Sequence, residues 1–268
     1  MKNNKNNYTK IPFRGGGFQF KTNYWIGPIV FLVLLVSWYF GSTFGIISKL
    51  VLPNPAEDFV AFHDLYVTGD LYLHVGSSLK RLILGWTLGT IIGIILGFAI
   101  GLFSLVRAGL APIVAAIFPV PKIALLPLFI IWFGIGELSK VNLILFGTLF
   151  PTIIATYGAI DNVDRSLIRM GQSFNLSWFS ITRKIVFPAS LPAILSNMRI
   201  TAAIAIILIV AAELIAAEKG IGAYIQMAGS LFAIDRLLAG IIILSCLGLI
   251  ANWLIGFTER KLLKWRNL

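Results

Sequence analysis

Residues that could perform catalysis or bind a metal are few and widely separated in this sequence. There is one cysteine, Cys246, in an apolar run, and the two histidines, His63 and His74, share one polar segment. A metal site needs several ligands that converge on one point, so we expect two ordinary surface histidines and no metal site. No Gly-rich loop ends in Gly-Lys-Ser or Gly-Lys-Thr, the pattern whose backbone amides hold nucleotide phosphates. The sequence therefore predicts a chain that is not itself an enzyme and holds no cofactor.

Ionisable residues in apolar runs are the next candidates, because burying a charge is costly and such residues are often functional. Glu213 is the only acidic one, and it either lines a pathway or anchors the loop that follows it. Lys122 follows Pro121 in a proline-rich break, where it either lines a pathway or extends its amine to a polar surface. Arg199 flanks the same apolar run as Glu213. The candidate pathway residues are therefore Pro121, Lys122, Arg199 and Glu213.

The elements that must position these residues are membrane-spanning helices. The 268-residue chain is 58% hydrophobic and 12% charged, against about 45–50% and about 25% in soluble domains. Runs of ~20 apolar residues are long enough to cross a bilayer. We predict an all-α integral membrane protein with six spans, the third interrupted by prolines at 119, 121 and 127. Their approximate bounds are Tyr24–Phe44, Leu82–Val106, Ala108–Phe133, Val141–Ile160, Leu191–Ala216 and Leu237–Thr258.

The distribution of charge predicts the orientation of these spans. Residues 1–23, the loop at Arg107, residues 161–190 and the C-terminal tail carry fourteen Lys or Arg and three Asp or Glu, and the other side carries six and seven. An excess of Lys and Arg marks the cytoplasmic side, so both termini are predicted to be cytoplasmic. Lys80 and Arg81 are exceptions at the outer end of the second span. We expect a basic tail over residues 1–23, a transmembrane domain over residues 24–268, contact with membrane lipids, and no nucleic-acid partner.

Glycines recur at every fourth position of the second predicted span. On a helix they form one stripe without side chains, which lets another helix approach closely. We expect this stripe to pack against a helix of the bundle or of another subunit, although it could instead line a moving pathway. The stripe consists of Gly85, Gly89, Gly93, Gly97 and Gly101.

The segment 161–190 is too polar to span a membrane and too apolar for a free loop. Asp164 is predicted to cap a helix over Arg165–Phe174, and Asn175 to end it in the left-handed conformation. Ser177 is predicted to cap a second helix, Trp178–Lys184, which Phe187-Pro188 closes. The pair carries a surplus of apolar side chains, which favours a surface for a partner. The alternative is a helix pair that simply lies in the membrane interface.

This segment resembles the ATPase-coupling loop of binding-protein-dependent ABC importer permeases. Their motif reads Glu-Ala-Ala, three residues, Gly, nine residues, and then Ile-x-Leu-Pro. The spacing, Ile185 and Pro188 match, whereas Arg169, Gly171, Asn175 and Phe187 replace Glu, Ala, Gly and Leu. The resemblance implies that coupling to an ATPase involves Arg169, Met170, Gly171, Phe174, Asn175, Trp178, Ile185 and Pro188.

Further segments are similar to the nitrate, sulfonate, taurine and bicarbonate branch of that family. They are Leu52–Pro55, Ser78–Arg81, Pro119–Leu128, Trp132–Gly136 and Ala212–Ala217, the last followed by Gly220-Ile221-Gly222 as in taurine permeases. This resemblance implies the type I importer (MetI-like) fold, in a multi-pass permease of the bacterial inner membrane.

The resemblance also implies partners and a cargo. The partners would be a second copy of the chain, ABC ATPase subunits that bind ATP and Mg, and a periplasmic or lipid-anchored substrate-binding protein. The cargo would be a small anion such as taurine or an alkanesulfonate. The alternatives are nitrate, bicarbonate or a thiamine-precursor-like solute within the same family. A secondary transporter is the alternative from another class, but it would need inverted repeats and several buried coupling residues.

Overall fold

The computed structural model describes residues 25–48 and 51–267 of the chain. The predicted basic tail, residues 1–23, lies outside the described residues. The chain divides into two units, residues 1–55 and 56–268. In the first unit, α1 runs over Ile26–Thr43, and the indole of Trp38 donates a hydrogen bond of 2.9 Å to the carbonyl of Pro53.

The second unit contains the remaining helices, and the described residues include no strand. A 3₁₀ turn, Lys122–Leu125, precedes α5, a π-helical segment, Thr182–Val186, joins α8 to α9, and a 3₁₀ turn, Lys264–Asn267, follows α11. The α-helices are α2 (Pro55–Val67), α3 (Asp70–Leu102), α4 (Ser104–Ile117), α5 (Leu126–Phe133), α6 (Glu137–Asp161), α7 (Arg165–Ser173), α8 (Trp178–Ile181), α9 (Phe187–Ala216), α10 (Ile221–Ser230) and α11 (Ile234–Leu262).

The prediction of an all-helical protein with six spans is confirmed. Five helical stretches among the described residues are long and apolar enough to cross a membrane, and a bent pair supplies the sixth. That pair is α4 with Lys122–Phe133, which meet at 92°. The predicted start of the second span, Leu82, lies well inside α3, because a helix can continue through polar residues beyond the apolar layer.

The three prolines of the broken span have different roles. Pro119 and Pro121 lie in the non-helical break, where their missing N–H groups remove no helical hydrogen bond. Pro127 lies in the first turn of α5, where an N–H would have no helical partner in any case. Pro127 therefore starts a helix, whereas the sequence had suggested that it interrupts one.

The prediction that Phe187-Pro188 closes the second short helix is wrong. The chain passes from α8 through the π-helical segment into α9, with Pro188 in the first turn of α9. A proline in the first turn of a new helical register needs no N–H donor, and the wider π turn changes the register just before it. As a result, α8, the π-helical segment and α9 form one continuous helical stretch from residue 178 to residue 216.

The core of the second unit is centred on α6, the most buried of the described spans. Leu143 and Ile144 are fully buried on its two sides. Leu143 packs with Leu126 and Phe129 of α5, and Ile144 packs with Leu208 and other residues of α9. The helix α6 therefore holds α3, α5 and α9 in fixed positions around it.

Candidate functional site

The glycine stripe of α3 lies directly against α6. An added Cβ would lie 2.6 Å from the backbone oxygen of Leu145 at Gly89, 2.7 Å from the Cβ of Thr152 at Gly93, and 2.5 Å from the Cβ of Thr156 at Gly97. The same Cβ would meet Ile144 at Gly85 and Ile160 at Gly101. Each contact is closer than two carbon-bearing groups normally approach, so only glycine fits along this stripe.

The surface of α6 that packs against this stripe carries three threonines, which were not predicted from the sequence. Thr148, Thr152 and Thr156 are fully buried, and they recur every fourth residue of α6. Thr148 and Thr152 each donate their hydroxyl to a carbonyl one turn earlier, so the close seam leaves those two groups satisfied. The signal was present in the sequence, because their spacing repeats that of the glycines.

Glu213 lies at the outer end of α9 in a buried network of charges. Its carboxylate accepts hydrogen bonds from Nη1 of Arg81 at 2.7 Å and from the hydroxyl of Ser78 at 2.8 Å. Nε of Arg81 also donates to Glu137 at 2.7 Å, and that second carboxylate is half exposed. The guanidinium thus joins α3, α6 and α9, and a buried carboxylate that would otherwise be costly is neutralised.

The same network holds the turn that precedes α10. Arg81 donates to the carbonyl of Lys219 at 2.7 Å, and Glu213 accepts from the amide of Gly222 at 2.9 Å. His74 contacts the backbone of Gly220, whose φ of +136° requires glycine. Glu213 therefore anchors the loop that follows its helix, which was one of the two readings of the sequence. The sequence marked Arg81 as a cation on the unexpected side and as part of the family-like segment Ser78–Arg81. Its pairing with two carboxylates accounts for the unexpected side.

Lys122 closes the broken end of α4. Its ammonium donates to the carbonyls of Ile117, Phe118 and Val120 at 2.9, 2.8 and 2.7 Å. It also lies 5.4 Å from the centre of the Phe150 ring. The carbonyl of Ile117 also accepts the amide of Val120 at 3.2 Å. Carbonyls at the end of a helix lack the N–H groups of a following turn, and a cation there also complements the helix dipole. Lys122 thus has all three donors occupied, and the adjacent Pro121 is exposed at the start of the 3₁₀ turn.

Arg199 lies between α9 and α11, far along the chain from the other candidates. Its Nη2 forms an ion pair with Glu259 near the end of α11. Its Nε is buried and has no hydrogen-bond partner among the described residues. The side chain lines a groove of 530 Å³ between the two helices. The structure therefore places the pathway candidates in three separate locations and does not bring them together.

One further buried carboxylate, Asp58 of α2, was not singled out from the sequence. It is 3% exposed, and neither of its oxygens has a hydrogen-bond partner in the described part of the chain. Burial, together with the nearby negative charges of Asp235 and Glu57, raises the pKa of Asp58 to about 6. No periodicity marks such a residue, because its burial depends on how α2 packs on the bundle.

The segment 161–190 forms a helix pair whose inner face packs on the bundle. Val163, Ile181 and Val186 are buried with Ile160 of α6, and Phe98 and Leu102 of α3 pack against this cluster. The Phe103 and Trp178 rings lie 5.4 Å apart. The pair is therefore fixed to the ends of α3 and α6 and continues directly into α9.

The local signals in this segment act as the sequence indicated. Asp164 accepts the amide of Ser166 at 2.8 Å, and this bond lowers the pKa of the Asp164 carboxyl. Ser177 accepts the amide of Ser180. Asn175 has φ of 54°, the left-handed conformation that glycine usually supplies at the end of a helix. An asparagine tolerates this conformation better than most residues, so the replacement of the motif glycine keeps the turn.

The outer face of the pair is apolar and exposed. Phe174 is 74% exposed, and Arg169 on the same helix pair is also exposed. By contrast, Gly171 is buried, and an added Cβ would lie 2.8 Å from the end of the Ile185 side chain. Ile185 and Pro188 are half-buried beneath the pair. The exposed apolar side chains are those of Leu167, Met170, Phe174, Trp178 and Phe179.

Comparisons with known proteins agree with this arrangement. Residues 89–264 match the family "binding-protein-dependent transport system inner membrane component". The chain is 34% identical over 241 residues to a putative aliphatic sulfonates transport permease of Bacillus subtilis, covering 90% of this chain and 87% of the relative. It is 35% identical over 240 residues to the taurine transport system permease of Escherichia coli, covering 88% of this chain and 87% of the relative.

The fold is also similar to that of solved ABC transporters. The methionine transporter MetNI in an inward-facing conformation superposes with a TM-score of 0.61 at 18% identity, covering 70% of this chain and 94% of the matched chain. This similarity identifies the type I, MetI-like importer fold, and the family is one of multi-pass inner-membrane proteins. The chain therefore belongs to the family of binding-protein-dependent transport system inner membrane components, the permeases of ABC importers.

Proposed function

We propose that this chain is the permease subunit of an ATP-driven importer for a small sulfonate, such as taurine or an alkanesulfonate. Substrate would cross by alternating access, driven by separate ATPase subunits. The similarity to permeases described for aliphatic sulfonates and for taurine supports the substrate class. A second copy of the chain and an external substrate-binding protein would complete the importer.

The observation that carries this proposal is the exposed apolar face of the segment 161–190. Exposing an apolar face of this kind to water is unfavourable, so such a face usually marks an interaction site. Phe174 is 74% exposed and therefore contributes little to the packing of the chain itself. The inner face is fixed to α3 and α6 and continues into α9. Movement of an ATPase docked on this segment would therefore reach a membrane span without an intervening flexible loop.

The ATPase, with its ATP and Mg, supplies the energy in this proposal, and the chain described here is non-catalytic. Closure of two ATPase subunits would draw two such segments together. The binding protein would deliver the anion on the outer side, near the buried network of Arg81. The energy would then pass from the segment to the spans as mechanical displacement.

Phe174→Asp tests the docking step. A carboxylate would have to be desolvated against the apolar partner surface, so ATPase copurification and sulfonate uptake should both fall at least about tenfold. Trp265→Asp is the matched control, because Trp265 is 51% exposed near the C-terminus and lies outside the segment. Membrane insertion and yield should be normal in both variants. Copurification and uptake that stay at wild-type levels in Phe174→Asp would refute the docking surface.

The energy source separates this proposal from a secondary transporter. The permease, its ATPase and its binding protein would be reconstituted in vesicles, and uptake of radiolabelled taurine measured with and without ATP and a protonophore. Uptake should require ATP and ignore the protonophore. Uptake that continues without ATP and collapses with the protonophore would overturn the proposal. ATP-dependent uptake of nitrate or bicarbonate, with none of taurine, would retain the importer and replace the substrate.

A further inference from the structure

The groove between α9 and α11 has an unusual distribution of polar groups for a surface at membrane depth. Its 530 Å³ lies within the range of about 300–1,000 Å³ typical of small-molecule sites. Most of the wall is formed by small or aliphatic side chains such as Ala202, Gly248 and Ala251. The polar groups in the wall are Arg199, Ser245 and Asn252.

Two of these residues, Ser245 and Asn252, belong to a polar stripe along α11 that ends at Glu259. Ser245, Asn252 and Glu259 are seven residues apart, so they lie on one face of the helix. The stripe runs toward the end of α11 that carries Arg260 and Lys261, which is the end predicted to be cytoplasmic. Asn252 is exposed, and a polar stripe against lipid is costly, so such stripes usually face a water-filled cavity. The groove is therefore better suited to water and a polar solute than to acyl chains.

Arg199 keeps most of its N–H donors without a hydrogen-bond partner among the described residues, as Lys140 does, whereas Arg81 and Lys122 do not. Arg81 is held by two carboxylates and a carbonyl, Lys122 by three carbonyls, and Lys140 by the carbonyl of Gly136. Arg199 has one hydrogen-bond partner among the described residues, Glu259, which engages Nη2 alone. A guanidinium with open donors matches the oxygens of a sulfonate, which stays ionised at all physiological pH values.

Resting on the proposed function, we propose that the groove between α9 and α11 is the inner part of the transport path, and that Arg199 binds the sulfonate group of the anion there. Glu259 has a complementary role. Because it neutralises the guanidinium when no anion is bound, it weakens anion binding and so favours release, whereas binding itself depends on Arg199. Asn252 lines the same groove and would offer an amide donor to the anion.

Two variants of the ion pair separate a binding role from a structural one. Arg199→Met and Glu259→Gln both remove the pair, but only the first removes the cation. The measurement is taurine transported per ATP hydrolysed by the reconstituted importer. Arg199→Met should lower this ratio about tenfold or more while ATP hydrolysis and ATPase copurification persist. Glu259→Gln should lose much less. Equal losses would mean that the pair is only a strut between α9 and α11, and an unaffected Arg199→Met would also refute the proposal.

Water access to the groove is tested independently of transport. In a Cys246→Ala background, Asn252→Cys should react with an anionic methanethiosulfonate reagent. The control Trp253→Cys, an exposed position that does not line the groove, should react at least about tenfold more slowly. Equal, slow reaction of both would show that lipid fills the groove and would refute the proposal.

The wild type keeps the two hypotheses distinguishable. If it imports no taurine or other sulfonate, the proposed function fails and the sulfonate assignment of Arg199 fails with it. If it imports taurine but the Arg199 and Asn252 variants behave as their controls, only the inference about the groove fails.

Discussion

Gly93→Leu tests whether the seam between α3 and α6 determines the stability of the bundle. A Cβ at Gly93 would lie 2.7 Å from the Cβ of Thr152 and 3.0 Å from the backbone oxygen of Leu149. Ordinary contacts of this kind begin near 3.4 Å. The backbone oxygen cannot rotate away, so the two helices would have to separate by roughly half an ångström, even before the rest of the leucine is placed. A gap of that size forfeits about a quarter of the dispersion energy of each contact along the seam.

Overpacking of this kind typically costs ~1–3 kcal/mol. The matched control is Gly76→Leu on the same helix, where an added Cβ has no neighbour within 4 Å among the described residues. Removing a glycine from an exposed helical position is worth about 0.5–1 kcal/mol. The two variants should therefore differ by about 1.5–4 kcal/mol, which corresponds to a difference in Tm of at least about 3 °C.

This difference is measured as the Tm of the purified permease, with size-exclusion chromatography of heated samples as the readout of unfolding. Gly93→Leu should melt below the wild type and Gly76→Leu at or above it. Thr152→Ala removes the Cγ2 methyl, which lies 2.9 Å from an added Cβ at Gly93. The double variant Gly93→Ala Thr152→Ala should therefore recover part of the stability that Gly93→Ala loses, measured as a double-mutant cycle. Equal Tm values for Gly93→Leu and Gly76→Leu would refute the close seam as a source of stability.

Two further predictions concern buried charge. Arg81→Met leaves the Glu213 carboxylate buried without its cation and should lower the free energy of unfolding by ~3–5 kcal/mol, seen as a lower Tm. The double variant Arg81→Met Glu213→Gln should recover part of this loss. An unchanged Tm in Arg81→Met would contradict a stabilising role for the network. Because the pKa of Asp58 is raised to about 6 from 3.8, its ionised form destabilises the folded state, and stability should fall as pH rises from about 4 to 6. Asp58→Asn should therefore stabilise the folded state by about 1–3 kcal/mol at pH 8, seen as a higher Tm, and should have no such effect at pH 4. An equal rise in Tm at both pH values would show that ionisation of Asp58 is not what destabilises the wild type.

The identity of the elements follows largely from local features of the sequence. Apolar runs define the spans because each must be long enough to cross the bilayer. The caps at Asp164 and Ser177 and the turn at Asn175 depend on hydrogen bonds and backbone preferences within a few residues. The glycine stripe of α3 is visible for the same reason, since a helix fixes which residues share a face.

The partners of those features depend on the tertiary structure. The sequence presents Glu213 and Arg81 as isolated charges 132 positions apart, and only the packing of α3 on α9 makes them a buried pair. Likewise, Lys122 was ambiguous until the 92° bend turned the carbonyls at the end of α4 toward its amine. Pro188 was misread because a π-helical segment shifts the register just before it, and no local pattern marks that shift. Local chemistry therefore determined the helices, whereas contacts between distant segments decided which charges are neutralised and which, as at Arg199, keep donors available.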